Sequence, residues 1–215
     1  MAQRHAVKRA YEIPEWVGSQ LPIESRERWR SLISRLQELT AAGEPMEGWL
    51  FHGTTAAKAE SIMLEGMAPT EVMLRDGADA WFTTGSYWAR PIVAAGYAED
   101  SERMDVSLTK PLGLIAIHID DLLNECVLEI DEPTLDFPEE RLIGKSADQL
   151  ASEWSLISET ATWLDSLNIL GSLAAIHSYL LPPESLNLIT CVEDVESLLE
   201  KHSSHESLLT ARPSP

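Results

Sequence analysis

The order of the predicted elements is the feature that most constrains the fold of this chain. A helix over 24–41 comes first, because five apolar residues recur there at helical spacing: Trp29, Leu32, Ile33, Leu36 and Leu39. Strands and helices then follow without the strict alternation of a doubly wound parallel sheet. This order predicts an α+β fold with a split, mainly antiparallel sheet flanked by helices.

The apolar patterns predict the individual elements and the domain limits. Strands are predicted at 48–54, 78–84, 111–120, 126–133, 173–181 and 186–192, the last two as a strand pair. Helices are predicted at 56–67, 89–100 and 146–170, with a short acidic helix from 193. We therefore expect an N-terminal extension with its helix over 1–45, one main domain over 46–200, and a disordered tail over 201–215.

Charge and cysteine content limit the function. The formal net charge of −19, from 35 acidic and 16 basic residues, repels phosphate backbones and disfavours direct nucleic-acid binding. It favours a soluble surface or a protein partner with a basic surface. Two distant cysteines, short apolar runs and no apolar signal segment predict a reduced cytoplasmic protein without a membrane span. No CxxC or HExxH motif occurs, so we expect no metal site.

The segment WLFHGTT (49–55) places a histidine in an apolar strand, directly before an amphipathic helix. His52 alone is more typical of a hydrogen-bonded structural residue than of a catalytic one. Two neighbours favour function. Gly53 allows a ligand to approach the backbone closely, and Thr54 adds a hydroxyl at the predicted start of the helix, where N–H groups can meet a phosphate or an amide.

A second segment, AWFTTGSYWARPIVAAGYA (80–98), is rich in aromatic residues. Most of them are expected to lie in the core. A strand that ends in two aromatics and threonine, followed by a helix with a tyrosine near its end, also describes two walls of a slot for a flat ring. The residues are Trp81, Phe82, Tyr87, Trp88 and Tyr97.

Together, LFHGTTAAKAESIMLEGM, AWFTT and AAGYA resemble the ADP-ribosyltransferase superfamily, in the branch of poly(ADP-ribose) polymerases and diphtheria-type toxins with their bacterial and phage relatives. The resemblance covers residues 48–98 and continues loosely to about 192, where LLPPESLNLI is similar to the family's final strand pair. It implies an NAD-dependent mono-ADP-ribosyltransferase that uses NAD as co-substrate and modifies a protein or another macromolecule.

The resemblance also implies roles for individual residues. His52 would hydrogen-bond the ribose next to the nicotinamide, and the backbone of Gly53 would bind the carboxamide. Thr54 would support the adenosine-side ribose or a phosphate. Tyr97 would stack on the nicotinamide ring. The opposite wall would come from Trp81 or Phe82, with Thr83 beside them.

The family's catalytic carboxylate lies at the start of the penultimate strand, and GSLAAIHSYLL (171–181) contains none. Asp165, upstream, is our candidate for a relocated acid. Glu184, downstream, is more typical of a solvated turn residue. Four acids at strand ends stay open as lesser candidates: Asp120, Asp121, Glu129 and Asp131.

Three functions therefore remain. The first is an active mono-ADP-ribosyltransferase; polymer formation is disfavoured because elongation in the family relies on the missing glutamate. The second is a non-catalytic module that binds NAD, ADP-ribose or a partner protein on a degenerate scaffold. The third is an enzyme like the RNA 2′-phosphotransferases, which share the His-Gly-Thr strand but need basic residues to hold RNA.

Overall fold

The computed structural model describes residues 21–42, 46, 48–76, 79–101, 112–131 and 145–210. These residues form an α+β structure in which helices flank an antiparallel sheet, as the sequence predicts. Predictions for the remaining residues, including most of the 1–45 extension upstream of its helix and the last five residues of the tail, fall outside the described part of the chain.

The described part of the chain contains seven α-helices and seven strands. The helices are α1 Ile23–Ala42, α2 Ala56–Glu65, α3 Pro91–Ser101, α4 Ile119–Glu125, α5 Ala147–Ser155, α6 Trp163–Ile169 and α7 Val192–Thr210. The strands are β1 Trp49–Thr55, β2 Thr70–Asp76, β3 Asp79–Ala89, β4 Leu112–His118, β5 Val127–Ile130, β6 Ser172–Ile176 and β7 Asn187–Ile189.

The sheet has the order β5-β6-β3-β1-β4-β7, and β2 pairs with β3 off this path. Every pairing is antiparallel. The predicted pairing of the last two strands is wrong, because β6 lies between β5 and β3 while β7 lies at the far edge beside β4. The chain between them passes the end of α2, where Leu181 forms a bridge with Met67.

Two cores cover the two faces of the sheet. One core lies between the sheet and α1, α3 and α7, and it includes Trp29, Phe51 and Ala94. The other face includes Leu50 and Trp88, with residues of α2, α4 and α6 packed on it. The helix predicted within the N-terminal extension is therefore built into the main core, where all five of its predicted apolar residues are buried.

Several boundaries differ from the prediction. The strand predicted at 78–84 continues to Ala89 and is joined by an unpredicted strand, β2. The helix predicted over 146–170 is two helices, because Thr162 starts α6 with a new N-cap. The final helix continues to Thr210, so its last turns occupy most of the predicted disordered tail. No glycine or proline interrupts 193–210, and nothing local stops the helix earlier.

Candidate functional site

The β1–β3 pairing is the shortest in the sheet formed by the described residues, on the edge of β3 that faces β1. β4 pairs with β1 along the whole strand, from Trp49 to Thr55, whereas the register between β1 and β3 consists of the single pair Phe51–Ala89. Further along the same edge of β3, pairing with β2 begins at Gly85. Tyr87 therefore lies opposite Gly53 without a registered pair between them, and we call this opening the β1–β3 gap.

The backbone of Gly53 is directed into the β1–β3 gap. The amide of Ile119 donates to Gly48 O at 2.7 Å, which continues the β1–β4 register by one pair. Bonded groups alternate along an antiparallel strand, so every second residue after Gly48 bonds toward β4. Gly53 belongs to the other set, and its N–H and C=O point away from β4 toward Tyr87.

Helix α3 packs directly beneath Gly53. A Cβ atom at this position would lie 1.8 Å from Ala94 O and 2.5 Å from Ala98 N, so a side chain cannot be accommodated without moving the helix. Ala94 and Ala98 are fully buried, and their small side chains permit this approach. Because the carbonyl carbon of Tyr97 is bonded to Ala98 N at about 1.33 Å, the backbone of Tyr97 lies beside Gly53. Its side chain is 39% exposed.

His52 is held across the β1–β3 gap by the opposite strand. Its Nδ1 lies 3.0 Å from the backbone oxygen of Tyr87. A carbonyl only accepts, so Nδ1 carries the proton and Nε2 is left as an acceptor. Burial lowers the pKa of His52 from its usual value, and the charge of Lys58 acts in the same direction. The ring is therefore neutral at physiological pH.

Tyr87 forms the other margin of the gap and was not assigned to the site from the sequence. Its hydroxyl accepts from Met73 N at 2.9 Å and donates to Met73 O at 3.1 Å. In the β2–β3 register these Met73 groups belong to the edge of β2 that faces away from β3. The β2–β3 hairpin is therefore curled over the sheet and tied to it at Tyr87. Only the strand register, which is a long-range property, places Tyr87 here.

The structure does not bring Trp81, Phe82 or Thr83 to His52. They lie on the β2–β3 hairpin, opposite Leu74, Met73 and Val72. Phe82 precedes Tyr87 by five residues, on the part of β3 that pairs with β2 rather than β1. Trp81 and Phe82 are 47% and 62% exposed. The β3 residue that contacts His52 is Tyr87, and the role of Trp81 or Phe82 as the opposite wall stays a prediction.

Thr54 also differs from its predicted position. It is 4% exposed, inside β1 rather than at the start of the helix. Thr55 instead caps α2, since its side chain accepts from Lys58 N at 3.3 Å. The hydroxyl expected at the helix start is therefore supplied by the neighbouring residue and is occupied by the helix itself.

The carboxylate of Asp165, the candidate acid, is engaged in hydrogen bonds at the start of α6. Its Oδ2 accepts from Thr162 N at 2.8 Å and from Thr162 Oγ1 at 2.7 Å, which closes a capping box. These hydrogen bonds lower the pKa of Asp165. At the start of β6, Ser172 stands where the family resemblance implies a carboxylate. The relocation to Asp165 is not supported by this geometry.

A cavity of about 500 Å³ lies at the other end of β1. Leu39, Trp49, Leu123 and Leu164 are among the residues that line it, and Asp120, one of the lesser candidate acids, lines it as well. Arg90 also lines it, but its guanidinium is engaged by Leu167 O at 3.0 Å and Asn168 Oδ1 at 2.8 Å. The lining of this cavity is mostly apolar, with Thr40, Arg90, Asp120 and Asn168 as its polar members.

The β1–β3 gap differs from this cavity because it offers backbone and side-chain polar groups. A strand edge at Gly53 presents one N–H and one C=O, which is the complement of a primary carboxamide. His52 Nε2 can accept from a hydroxyl, and the exposed ring of Tyr97 can stack on a flat heterocycle. Of the predicted site residues, His52 and Gly53 border the gap, and the backbone of Tyr97 lies beside Gly53.

No group of three or more potential metal ligands occurs among the described residues. In the same part of the chain, no helix has the length and apolar character needed to cross a membrane. Comparison with protein-family models, with curated proteins and with solved structures gives no match to this chain.

Proposed function

We propose that this protein binds NAD in the β1–β3 gap and transfers its ADP-ribose moiety to a protein target. The observation that carries the proposal is the unpaired strand edge at Gly53, with His52 fixed beside it by Tyr87 O. The resemblance of WLFHGTT and AAGYA to the ADP-ribosyltransferase superfamily is the reason for proposing NAD as the ligand.

In this proposal the nicotinamide carboxamide pairs with the backbone of Gly53, and Tyr97 stacks on the ring. Nε2 of the neutral His52 accepts a hydrogen bond from a ribose hydroxyl. The bond between nicotinamide and ribose then breaks, its electron pair neutralises the pyridinium ring, and the acceptor adds to the ribose carbon with loss of a proton. These residues contribute by holding the leaving group and the sugar in a fixed orientation.

The net charge of −19 supports a target with a basic surface, because long-range attraction would bring such a protein to the gap. The same charge disfavours the RNA 2′-phosphotransferase alternative. With Ser172 at the start of β6 in place of a carboxylate, we propose transfer of single ADP-ribose units rather than polymer formation.

A non-catalytic NAD- or ADP-ribose-binding module is the second candidate. The absence of a carboxylate at Ser172 and the engagement of Asp165 in the α6 cap favour it. Binding requires the gap, His52 and Tyr97, whereas turnover also requires stabilisation of positive charge on the ribose.

One experiment separates the two candidates. The purified protein is incubated with NAD labelled in the adenylate moiety, with and without a cell lysate, and nicotinamide release and protein labelling are both measured. Labelled protein supports the transferase. NAD-dependent thermal stabilisation without turnover supports the binding module. Neither binding nor turnover contradicts both.

His52→Ala is the site variant, and His118→Ala is its matched control. His118 is also a histidine on a central strand, at the end of β4, but it caps α4 and packs edge-on against Trp49 at 5.2 Å. We expect His52→Ala to lose NAD binding or turnover and His118→Ala to keep both. Equal loss in the two variants would remove the basis for placing the ligand at His52.

A further inference from the structure

A chain of hydrogen-bonded side chains lies buried behind His52. Trp88 Nε1 donates to Ser86 Oγ at 2.8 Å, and Ser86 Oγ lies 2.9 Å from His177 Nε2. Trp88 is fully buried, and Ser86 and His177 are 1% and 4% exposed. Buried polar groups of this kind are costly unless each is satisfied.

Only one arrangement of protons satisfies this chain. His177 Nδ1 lies 2.8 Å from Tyr179 O, a carbonyl that can only accept, so the ring proton is on Nδ1. Nε2 is then the acceptor, and the Ser86 hydroxyl donates to it. The oxygen of Ser86 is left to accept the indole N–H. Each group thus fixes the orientation of the next, from Tyr179 to the Trp88 indole.

The chain ends against the proposed site. The rings of Trp88 and His52 have centroids 5.9 Å apart and are tilted by 58°. Ser86, Trp88 and His52 share one face of the sheet, since residues alternate along each strand. The Trp88 indole is therefore the wall on which the His52 ring rests, while Tyr87 O holds its Nδ1.

We propose that Ser86 and His177 are positioning residues for His52, acting by locking the indole of Trp88. Neither is placed at the gap, so neither is a catalytic residue. The positioning of His52 stands on the contacts alone, and its consequence for NAD turnover rests on the proposed function. Loss of the Ser86 hydroxyl frees the indole N–H and loosens the wall, which admits water to His52.

The test is nuclear magnetic resonance of the free protein, with Ser86→Ala as the variant. We expect the indole N–H resonance of Trp88 to move and to exchange faster with water. We also expect the pKa of His52 to rise toward its ordinary value, because burial is the main cause that lowers it. If the protein turns over NAD, kcat/KM should fall about tenfold or more, since small misplacements of a site residue are costly.

Ser166→Ala is the matched control. Ser166 is fully buried, donates to Ser172 O at 2.8 Å and accepts from Asp131 N at 2.9 Å, but it touches neither Trp88 nor His177 in these bonds. The Ser166→Ala variant should lose about as much stability as Ser86→Ala and leave the His52 pKa unchanged. Ser86→Thr, which keeps the hydroxyl, should restore both the Trp88 resonance and the His52 pKa.

The proposal is overturned if Ser86→Ala leaves the pKa of His52 unchanged, or if Ser166→Ala changes it equally. If Ser86→Ala does not fold, the pair His177→Gln and His177→Leu replaces it. Gln can retain an acceptor near Nε2 and should preserve the pKa of His52, whereas Leu should raise it; identical values overturn the proposal. Since these readouts need no NAD, failure of the proposed function leaves them interpretable.

Discussion

The two ends of β1 provide two different kinds of opening. At Trp49 and Leu50 a cavity of about 500 Å³ is lined mostly by apolar side chains. At Gly53 the β1–β3 gap has no registered strand pair and is bordered by the neutral ring of His52. The large cavity and the exposed backbone edge therefore lie at different places along one strand.

The difference follows from pairing. Near the start of β1, Phe51 pairs with Ala89 and the sheet is closed, so any opening there lies between packed helices and the sheet face. Beyond Phe51 the two half-sheets separate, and backbone groups become available to a ligand. An amide-bearing ligand gains orientation from such groups, whereas apolar walls alone give little.

Gly53→Ala is expected to have the largest effect. The added Cβ would lie 1.8 Å from Ala94 O, so α3 must move away from β1. We expect a loss of about 3 kcal/mol in the free energy of unfolding and complete loss of NAD binding, measured by urea unfolding and calorimetry.

Gly113→Ala is the control on the neighbouring strand. Its Cβ would lie 3.3 Å from Ala56 Cα and 3.4 Å from Ala59 Cβ, which requires a much smaller adjustment. If Gly113→Ala is as damaging as Gly53→Ala, the close approach of α3 to Gly53 is not the special feature of this sheet.

The titration of His52 gives the next largest effect. Its folded pKa is lowered below the unfolded value near 6.5. Between these values the unfolded chain binds a proton that the folded chain does not, so stability is full above pH 6.5 and is lost as the pH falls toward the folded pKa. NAD binding should weaken over the same range, because protonated Nε2 no longer accepts.

His52→Asn isolates this contribution, since the amide does not titrate. The wild-type protein should lose more stability than the variant between pH 7.5 and pH 5.5, a range chosen to span the ordinary pKa of about 6.5, in urea unfolding. Parallel pH profiles for the two proteins would show that His52 is not buried as described.

Tyr87→Phe should have a smaller effect. It removes the hydroxyl that bonds Met73 N and Met73 O, which should lower the free energy of unfolding by about 1 kcal/mol. The amide hydrogen of Met73 should exchange faster with water while those of β4 do not change. Uniform exchange across both regions would mean that Tyr87 does not tie the β2–β3 hairpin to the sheet.

The smallest effects are expected at the cavity and at the α6 cap. Leu164→Ser changes a cavity-lining residue that is 49% exposed, and Asp165→Asn weakens the capping box with Thr162. Both variants should retain NAD binding and any turnover, with Asp165→Asn slightly less stable. Loss of turnover in Asp165→Asn at unchanged stability would restore Asp165 as the acid.

Local patterns predicted much of this structure. The spacing of apolar residues located α1 and α3 within one or two residues, and WLFHGT located β1. The Thr-x-x-Asp capping box at 162–165 is a local signal that the prediction of one helix over 146–170 missed. Such signals depend only on residues within a few positions of one another.

The site depended on long-range register, which the sequence did not reveal. Whether Phe82 or Tyr87 faces Gly53 is decided by where β3 stops pairing with β2 and meets β1. The hydrogen bond between Ser86 on β3 and His177, directly after β6, likewise joins residues that are 91 positions apart in the sequence. A single sequence contains no direct signal for such pairings.

The most direct test of the central claim follows the backbone amide of Gly53 by nuclear magnetic resonance during titration with NAD and, separately, with nicotinamide. We expect the Gly53 amide resonance to shift with both ligands, whereas the amide resonances of Gly113 on β4 and Leu164 at the cavity stay unchanged. Saturable binding that leaves Gly53 unchanged, or that shifts the cavity residues instead, would contradict it.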